Sequence, residues 1–558
     1  MTFQLPIQLD PKRCPIDDVL KDDLELVDTK DENVESVYRT ALRPRTKHGL
    51  KVAQAWSNYY TTNVQFLKDS KVLYKTLRPT IREDVIEKFA THLEKFQQDT
   101  GFNNRFQFIE WKRFRYLNTY EYFLQGLSIY NFGAPLLTLI IPIFILIIPF
   151  ILLRILKIPI TITAYKHMVM QQLRHNAVGR LFTDFSSVDG TRKSYLLLSF
   201  AVYVFNIYQN ILACIRFYKN FHLIHELFAD ALTYFDYVSE QMDSFVKKAN
   251  KRKSYAPFLE QLRLHRQRIG QYRQEIETFR PFKISAFMKV GKKLKMFYSF
   301  KHNKDLVDTC EYSLDFMGYM DTIDGLQQNL REKKMNFGTI KTHGHTSFSG
   351  VYHPALTSCD AVKNNITLSN NYIISGPNAS GKTTLLKMIA INSILTQQFH
   401  CGFYDKATIK PIHKFHCYLN IPDTSGRDSL FQAEARRCKQ IIDAIEQNND
   451  RNHLCIFDEL YSGTNPHEAI GSAYAYLVCL ASKPNVKFLL TTHFTKLCRS
   501  MNDKTNVKNI KMDTTIEEND VHHSYKISKG ISNVRCGFQV LRQLEYPSEV
   551  LSNLASFE

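Results

Sequence analysis

The sequence contains eleven cysteines but no CxxC pair and no Cys/His spacing suited to zinc. That excludes zinc ribbons, zinc fingers and dithiol redox motifs. Scattered, unpaired thiols favour a reduced compartment, cytosolic or nuclear-facing. The opening residues, MTFQLPIQLDPKRCPIDD, lack the basic-then-apolar order of a secretory signal. Wholesale disorder is excluded by composition, which is 44% hydrophobic and 23% charged. Acidic residues are in deficit: 54 Asp+Glu stand against 72 Lys+Arg, for a formal net charge of +18. Such an excess favours an anionic partner, either nucleic acid or an acidic lipid surface, and says nothing about fold.

Charge is missing altogether from Phe132 to Leu153, FGAPLLTLIIPIFILIIPFILL. A bilayer span needs about 20 apolar residues, and this stretch supplies them, with Arg154 and Lys157 at its boundary. Pro135, Pro142 and Pro149 recur every seven residues and share one helix face. In a water-soluble helix interior each would cost about 3 kcal/mol, whereas membrane helices tolerate them when neighbours satisfy the freed carbonyls. A membrane span is therefore expected here. A second uncharged segment, Tyr195 to Ile215, is a weaker candidate because Asn206, Gln209 and Asn210 need partners in a bilayer. If both insert they form a hairpin, and the flanking regions share the cytosolic or nucleoplasmic side. The alternative is a soluble protein with the first stretch in its core.

At 558 residues the chain exceeds one ordinary domain. Residues 1–40, centred on DDLELVDTKDENVE, read as an acidic, solvated, flexible arm. Residues 41–130 read as helical, 131–216 as the candidate transmembrane hairpin, and 217–338 as a basic helical region. In the last, Leu262, Ile269 and Ile276 repeat every seven residues, as do Tyr272 and Phe279, which is the pattern of a coiled-coil or bundle seam. Residues 245–305 hold 17 Lys+Arg and 4 Asp+Glu, so most of the positive excess sits there. If that face contacts DNA phosphates, Lys247, Lys248, Lys251, Arg252, Lys253, Arg263, Arg266 and Arg268 are the candidate contacts, and binding would be independent of sequence and sensitive to salt. Solvated helix faces, or a patch for anionic lipid head groups, are the competing readings.

From about residue 339 the texture changes. NYIIS, LCIF and VKFLLT are short β-type runs, each followed by a loop and a helical pattern, which argues for an α/β domain with a largely parallel sheet. Between strand and helix lies ISGPNASGKTTLL, in which Gly376, Gly381, Lys382 and Thr383 fit GxxxxGK[ST] in full. The glycines let backbone N–H groups turn inward on phosphate oxygens, and the helix N-terminus adds its dipole. Lys382 would reach the β- and γ-phosphates of ATP, and the Thr383 hydroxyl would ligate Mg2+. LCIFDE ends a second strand on two carboxylates: Asp458 can hold the Mg2+ shell, and Glu459 can polarise the attacking water. TTHF puts His493 at the end of a third strand, in position to sense the γ-phosphate. Together these elements describe an ABC-type P-loop ATPase. The LSGGQ-like signature of a transporter is missing, and SGRDSLFQAEARRCKQI stands in its place.

With these motifs the chain resembles the MutS family of DNA mismatch-repair ATPases. Gly376-Pro377-Asn378, with Ser380, Gly381, Lys382, Thr383 and Thr384, is similar to that family's GPNxxGKS/T. Ser429, Phe431 and Glu434 match its S-x-F-x-x-E signature, DELYSGTN resembles its DExxxGT loop, and TTHF resembles its THY/THF element. His353-Pro354 stands where the family has an HP pair, Asp324 where its lever helix carries an aspartate, and YKISKGISNVRCGFQVLRQLEYPSEVL resembles its closing segment. The resemblance covers about residues 315–555. It implies a homodimer or heterodimer in which Ser429 of one subunit caps the nucleotide of the other, with ATP binding coupled to helical levers on double-stranded DNA. Two departures stand out. The family's Phe-x-Glu mismatch wedge has no counterpart in a suitable setting, since Phe258-Leu259-Glu260 reads as core packing. Ala361 stands where many members carry an adenine-stacking aromatic. The expected architecture is thus an α/β ABC-type ATPase domain at the C-terminal end, preceded by an all-α lever region with one or two transmembrane helices.

Overall fold

The computed structural model describes residues 2–31, 33–174, 179, 189–279, 289–356, 361–419, 429–517, 520–534 and 536–557. Part of the loop between the two apolar segments, residues 280–288 of the basic region, and the start of the SGRDS motif lie outside the described residues. The chain forms two compact units. One comprises Met1–Glu83, Glu240–Arg266 and Glu311–Glu558; the other comprises Asp84–Ser239 and Gln267–Cys310.

The apolar sequence forms long helices. α1 (Glu121–Ile155) runs unbroken through its three prolines, each of which lacks the N–H an interior helical position would donate. Its 35 residues give a length of about 52 Å. α2 (Gly190–Ala249) is 60 residues long and contains the second apolar segment. Apolar side chains on both helices face outward: Leu137, Ile143 and Leu146 on α1, and Leu198, Phe205 and Tyr208 on α2, are each more than half exposed. The expected span at Phe132–Leu153 falls partly on side chains outside the described residues. Among the described residues, α2 is the helix long and apolar enough to cross a membrane by length and composition, with a mean hydropathy of 1.5 over a window only 6% buried. The first segment contributes the shorter run Leu146–Ile155, because the side chains of Phe132, Leu139, Ile141, Pro142 and Ile145 lie outside the description.

α3 (Ala256–Glu277) carries the expected seam, with Leu262, Ile269 and Ile276 fully buried. Phe258 is 1% exposed and packs edge-on to Phe3, Phe245 and Tyr319, which is a core role. α4 (Val290–His302) lies against α1. α5 (Lys304–Arg331) is the long helix that leads into the α/β region.

The α/β region is built on a six-stranded sheet. Its strands are β1 (Asn371–Ser375), β2 (Lys414–Tyr418), β3 (His453–Asp458), β4 (Val486–Thr492), β5 (Val507–Glu517) and β6 (Asp520–Lys529), in spatial order β2-β3-β4-β1-β5-β6. All neighbours are parallel except the β5–β6 hairpin. β3 is buried from His453 to Phe457 on both faces, which is why it reads as a continuous apolar run rather than an alternating one. Phe457, Leu477, Phe488 and Leu490 are fully buried in one cluster on this sheet, each contributing about 1.5–3 kcal/mol by leaving water. α6 (Lys382–Phe399) follows β1, and α7 (Leu430–Glu446) precedes β3. A smaller four-stranded sheet accompanies the main one.

The N-terminal segment corrects the sequence expectation. It is not a solvated arm. Leu5, Ile7, Leu20, Leu24 and Leu26 are at most 2% exposed, and its acids lie on the outer side or in partnerships. Glu25 pairs with Lys387 of α6 at 3.3 Å. Arg13–Pro15 and Tyr59–Thr61 form an antiparallel pair, so the region before the α/β domain is not purely helical. Further along, the Tyr38 hydroxyl donates to Gln398 Oε1 at 2.9 Å, and Gln398 Nε2 donates to the carbonyls of Trp56 and Tyr59. The segment is thus registered against the far end of α6.

Candidate nucleotide site

The parallel register brings three strand ends to one level. Asp458 is paired with Thr491, and Thr491 and Thr492 with Ile374 and Ser375. Gly376, Glu459 and His493 therefore leave the sheet side by side, at the carboxyl ends where open α/β sheets bind ligands. The chain from Gly376 to Gly381 turns sharply. Ala379 and Gly381 have φ of +61° and +89°, and a Cβ on Gly381 would stand 3.1 Å from the Tyr525 ring. The Ser380 hydroxyl ties the loop by donating to the Pro377 carbonyl at 2.8 Å. The Lys382 ammonium donates to the carbonyls of Gly376 and Pro377, each at 3.0 Å, and burial holds its pKa below the ordinary lysine value.

The acidic pair divides its work. Asp458 accepts from the Thr383 hydroxyl at 2.7 Å through one oxygen and from the Thr491 hydroxyl through the other. Glu459 adopts φ +51°, unusual for a non-glycine residue, and its N–H donates to the Thr491 carbonyl at 3.1 Å. Its side chain meets His493 Nδ1 at 3.2 Å. That contact pulls the Glu459 pKa down against the opposing effect of burial, and raises the His493 pKa against the same opposition. His353 is 9% exposed, and its Nδ1 accepts from the Ala355 N–H at 3.2 Å. Burial, with Lys387 nearby, depresses its pKa to about 4. The ring is neutral at pH 7 and carries its proton on Nε2.

Between these groups lies a cavity of about 680 Å³. Of the sequence-predicted residues, Asn378, Gly381, Lys382, Thr383, Thr384, Asp458, Glu459 and His353 line it. Gly376, Pro377 and Ser380 shape the loop from behind, and His493 touches the cavity through Glu459. Ala361 lines it too. So do Met512 of β5 and Tyr525 of β6, which sequence reasoning missed. Tyr525 has φ +55°, and its carbonyl accepts from Asn364 Nδ2 at 2.9 Å. Its only sequence-level signal is an aromatic among polar residues in a strand after the third motif. The oxygen pair Thr383–Asp458 suits a hard cation, which takes one or two protein oxygens beside phosphate and water.

The signature residues are not in the cavity lining. Ser429 caps α7, accepting from the Gln432 N–H at 3.3 Å, while Gln432 Oε1 accepts from the Ser429 N–H at 3.1 Å. The Phe431 ring packs 5.6 Å from Tyr461. Glu434, 2% exposed, accepts from the Ser462 N–H and hydroxyl and from the Gly463 N–H, at 3.0–3.1 Å. Within one chain the signature helix thus clamps the loop that follows Glu459.

The candidate DNA contacts fall into two groups. Lys247, Lys248, Lys251, Lys253 and Arg263 are exposed around the turn from α2 to α3, while Arg252 is half-buried. Arg266, by contrast, makes a two-pronged pair with Asp243, at 3.0 and 2.8 Å, and Arg268 lies 3.8 Å from Asp305. The lever aspartate Asp324 binds Arg45 at 2.7 Å.

Comparison with known proteins agrees with this geometry. The family model for MutS domain V matches residues 372–557. Among curated proteins, the chain is 28% identical to the DNA mismatch repair protein MSH2 of Saccharomyces cerevisiae, over 36% of this chain and 22% of that protein. It is 26% identical to the DNA mismatch repair protein MutS of Persephonella marina, over 40% of this chain and 26% of the relative. It is 25% identical to the Endonuclease MutS2 of Finegoldia magna, over 45% and 32%. The matched part spans about a quarter to a third of these relatives' own length.

Proposed function

We propose that this chain, whose residues 372–557 match MutS domain V, is a MutS-family ATP hydrolase that works as a dimer on double-stranded DNA and is held at a membrane by α1 and α2. The observation that carries the ATPase reading is the convergence of the P-loop, Asp458, Glu459 and His493 at three aligned strand ends. Backbone N–H groups of the Gly376–Gly381 loop and the start of α6 would cradle the phosphates, and Lys382 would exchange its two loop carbonyls for phosphate oxygens. Thr383 and Asp458 would hold Mg2+, which supplies charge neutralisation at the β- and γ-phosphates when bound. Glu459 would orient the attacking water and draw its proton, with His493 fixing the carboxylate until the γ-phosphate competes for the imidazole. Tyr525 would offer the base a stacking face where Ala361 offers none. Ser429 and the N-terminus of α7 would face the nucleotide of the second subunit.

DNA is supported by the exposed cations at the α2–α3 turn and by the relatives' printed names. A second reading, a membrane-tethered ATPase that acts on something other than DNA, is favoured by the ion pairs that neutralise Arg266 and Arg268. Three measurements on the full chain test these readings. Glu459→Gln should bind ATP and stall hydrolysis; wild-type turnover in that variant would remove Glu459 from the mechanism. A mobility-shift series with paired, mismatched and branched DNA, with and without ATP, decides between the two readings, and no ATP-sensitive binding to any of them would end the DNA reading. Resistance to an alkaline membrane wash is expected, and release would end the membrane reading.

A further inference from the structure

A second cavity, of about 580 Å³, lies in the other unit, where the apolar parts of α1 and α2 end. On α1 its lining runs from Leu124 to Asn131, between Glu121 and the strongly apolar run that begins at Phe132. On α2 it extends from Ala213 to Ile224, across the point where the uncharged segment gives way to Arg216 and Lys219. At this cavity α1 changes from strongly apolar to polar residues, with Glu121 one turn beyond its lining, and α2 changes from apolar to charged. Its floor is apolar, made by Leu124, Leu127, Ile224 and Leu294, and its cations are Arg105, Arg216 and Lys219.

The walls are tied in place. Asn220 Nδ2 donates to the Arg105 carbonyl at 2.7 Å, and the Gly291 N–H donates to Gln125 Oε1 at 2.8 Å. Gly291 admits the close approach of α4, since a Cβ there would lie 2.2 Å from the Glu121 carbonyl. All three cations are exposed, and Arg105 lies 3.9 Å from Asp99. Among the described residues, neither Arg216 nor Lys219 has an acidic partner.

Between the lining stretches Asn104–Phe108 and Leu124–Asn131 the chain reads Trp111-Lys112-Arg113-Phe114-Arg115-Tyr116, and all six residues are exposed. Trp111 is 74% exposed, and Tyr122, Tyr130 and Tyr218 are 91%, 71% and 69% exposed. Between Arg105 and Tyr120 there are four cations (Arg105, Lys112, Arg113, Arg115) and one carboxylate, Glu110. Tyrosine and tryptophan collect at the head-group level of a bilayer, where one end of the ring is apolar and the other wet. Arginine and lysine there lay their stems on apolar surface and hold their charges among the head groups. A nucleic-acid groove would also want cations and aromatics, but not an apolar floor next to two uncharged helix segments.

We propose that this cavity and the adjoining 111–116 segment bind an anionic phospholipid, with its phosphate among Arg105, Arg216 and Lys219 and the first part of an acyl chain on the Leu124–Leu127–Ile224 floor. The inference rests on the membrane reading above and adds a lipid class and a site to it. The full chain has two tryptophans, the buried Trp56 and the exposed Trp111, so brominated lipids will quench mainly Trp111, and Trp111→Phe identifies that signal. In vesicles of phosphatidylcholine with a minor fraction of brominated phosphatidylserine, quenching should exceed that from the same fraction of brominated phosphatidylcholine. Arg216→Ala with Lys219→Ala should lower the serine-lipid preference on the order of 30-fold, at about one kcal/mol for each cation near an anionic surface, while the protein stays on the vesicles through an alkaline wash. Wild-type protein that stays on the vesicles but is quenched equally by both lipids would overturn the site and leave the membrane reading standing. Protein that washes off would overturn both. Displacement of phosphatidylserine by duplex DNA, with DNA binding lost in the same double variant, would make this a nucleic-acid surface and overturn the proposal.

Discussion

Glu434 offers the sharpest test of how the signature helix works. Its carboxylate is 2% exposed and accepts three hydrogen bonds from Ser462 and Gly463, in the loop directly after the Asp458–Glu459 pair. Replacing it by alanine removes all three acceptor contacts at once. A hydrogen bond to a charged group contributes about 1.5–3 kcal/mol, so a rigid loop with no access to water would lose well over 4 kcal/mol. Ser462 is exposed, however, and its two donors would recover water. The Gly463 N–H is less free to do so, because the glycine sits against Leu430 and the Phe431 backbone, where a Cβ would be 2.6 and 2.9 Å away. The expected loss is therefore about 2–3 kcal/mol. Glu434→Gln keeps one oxygen for Ser462 and sets an amide or second donor toward Gly463, for a loss of about 1 kcal/mol. Denaturant unfolding of the ATPase region gives the stability term, and steady-state ATP turnover gives the functional one. Turnover should fall in kcat more than in KM, because the loop fixes Glu459 and not the phosphate cradle. Wild-type stability and kcat in Glu434→Ala would refute the clamp and leave Glu434 only a role toward a second subunit.

Three shorter predictions follow from the same site. Thr383→Val keeps the shape of the side chain and removes the hydroxyl bound to Asp458, so the Mg2+ concentration for half-maximal turnover should rise; an unchanged Mg2+ profile would remove Thr383 from the metal shell. Tyr525→Ala should weaken ATP binding by about 1 kcal/mol, roughly fivefold, as loss of an aromatic stacking face does; calorimetry showing equal affinity would mean the base lies elsewhere. Glu459 is held below, and His493 above, its ordinary pKa, so their contact exists between those two values. It is lost as pH falls through the Glu459 pKa and again as pH rises through the His493 pKa. The His493 ring resonances should therefore titrate above 6.5 and move down in Glu459→Gln; a titration unaltered by that change would separate the two groups.

The parts of the molecule that were legible in the sequence are those whose causes are local. β1, β3 and β4 are short buried runs that end in loop residues, and the P-loop is a turn whose chemistry is written in consecutive positions. The α3 seam was legible because Leu262, Ile269 and Ile276 keep one period. What was illegible depends on partners far along the chain. The acids of the N-terminal segment suggested solvent, but its apolar residues follow no regular period, and they are buried by elements hundreds of residues away. Glu434 reads as a motif position, while its partners lie 28 and 29 residues downstream. Tyr525 reaches the cavity only because the β5–β6 hairpin folds back beside the P-loop. Arg266 and Arg268 counted as free charge until Asp243 and Asp305 were found next to them.

The position of the N-terminal segment bears on how the proposed nucleotide site would be coupled to the helices. α6 begins at the Gly376–Gly381 loop and is buried over most of its length. Near its far end Gln397 and Gln398 each satisfy both amide groups: Gln397 with Thr61 and with the backbone of Ile412, Gln398 with Tyr38, Trp56 and Tyr59. Shifting α6 along its axis by even one residue rise would break every one of these bonds in a buried setting, where each unsatisfied group costs about 1–3 kcal/mol. The helix and the 38–61 segment therefore move together. That segment also grips α5, since Asp321 accepts from the Arg45 and Thr46 N–H groups and Asp324 binds the Arg45 side chain. If ATP binding displaces α6, as the proposed function expects, the bonds at Gln397, Gln398, Asp321 and Asp324 are the connections that would pass the movement through the N-terminal segment to α5.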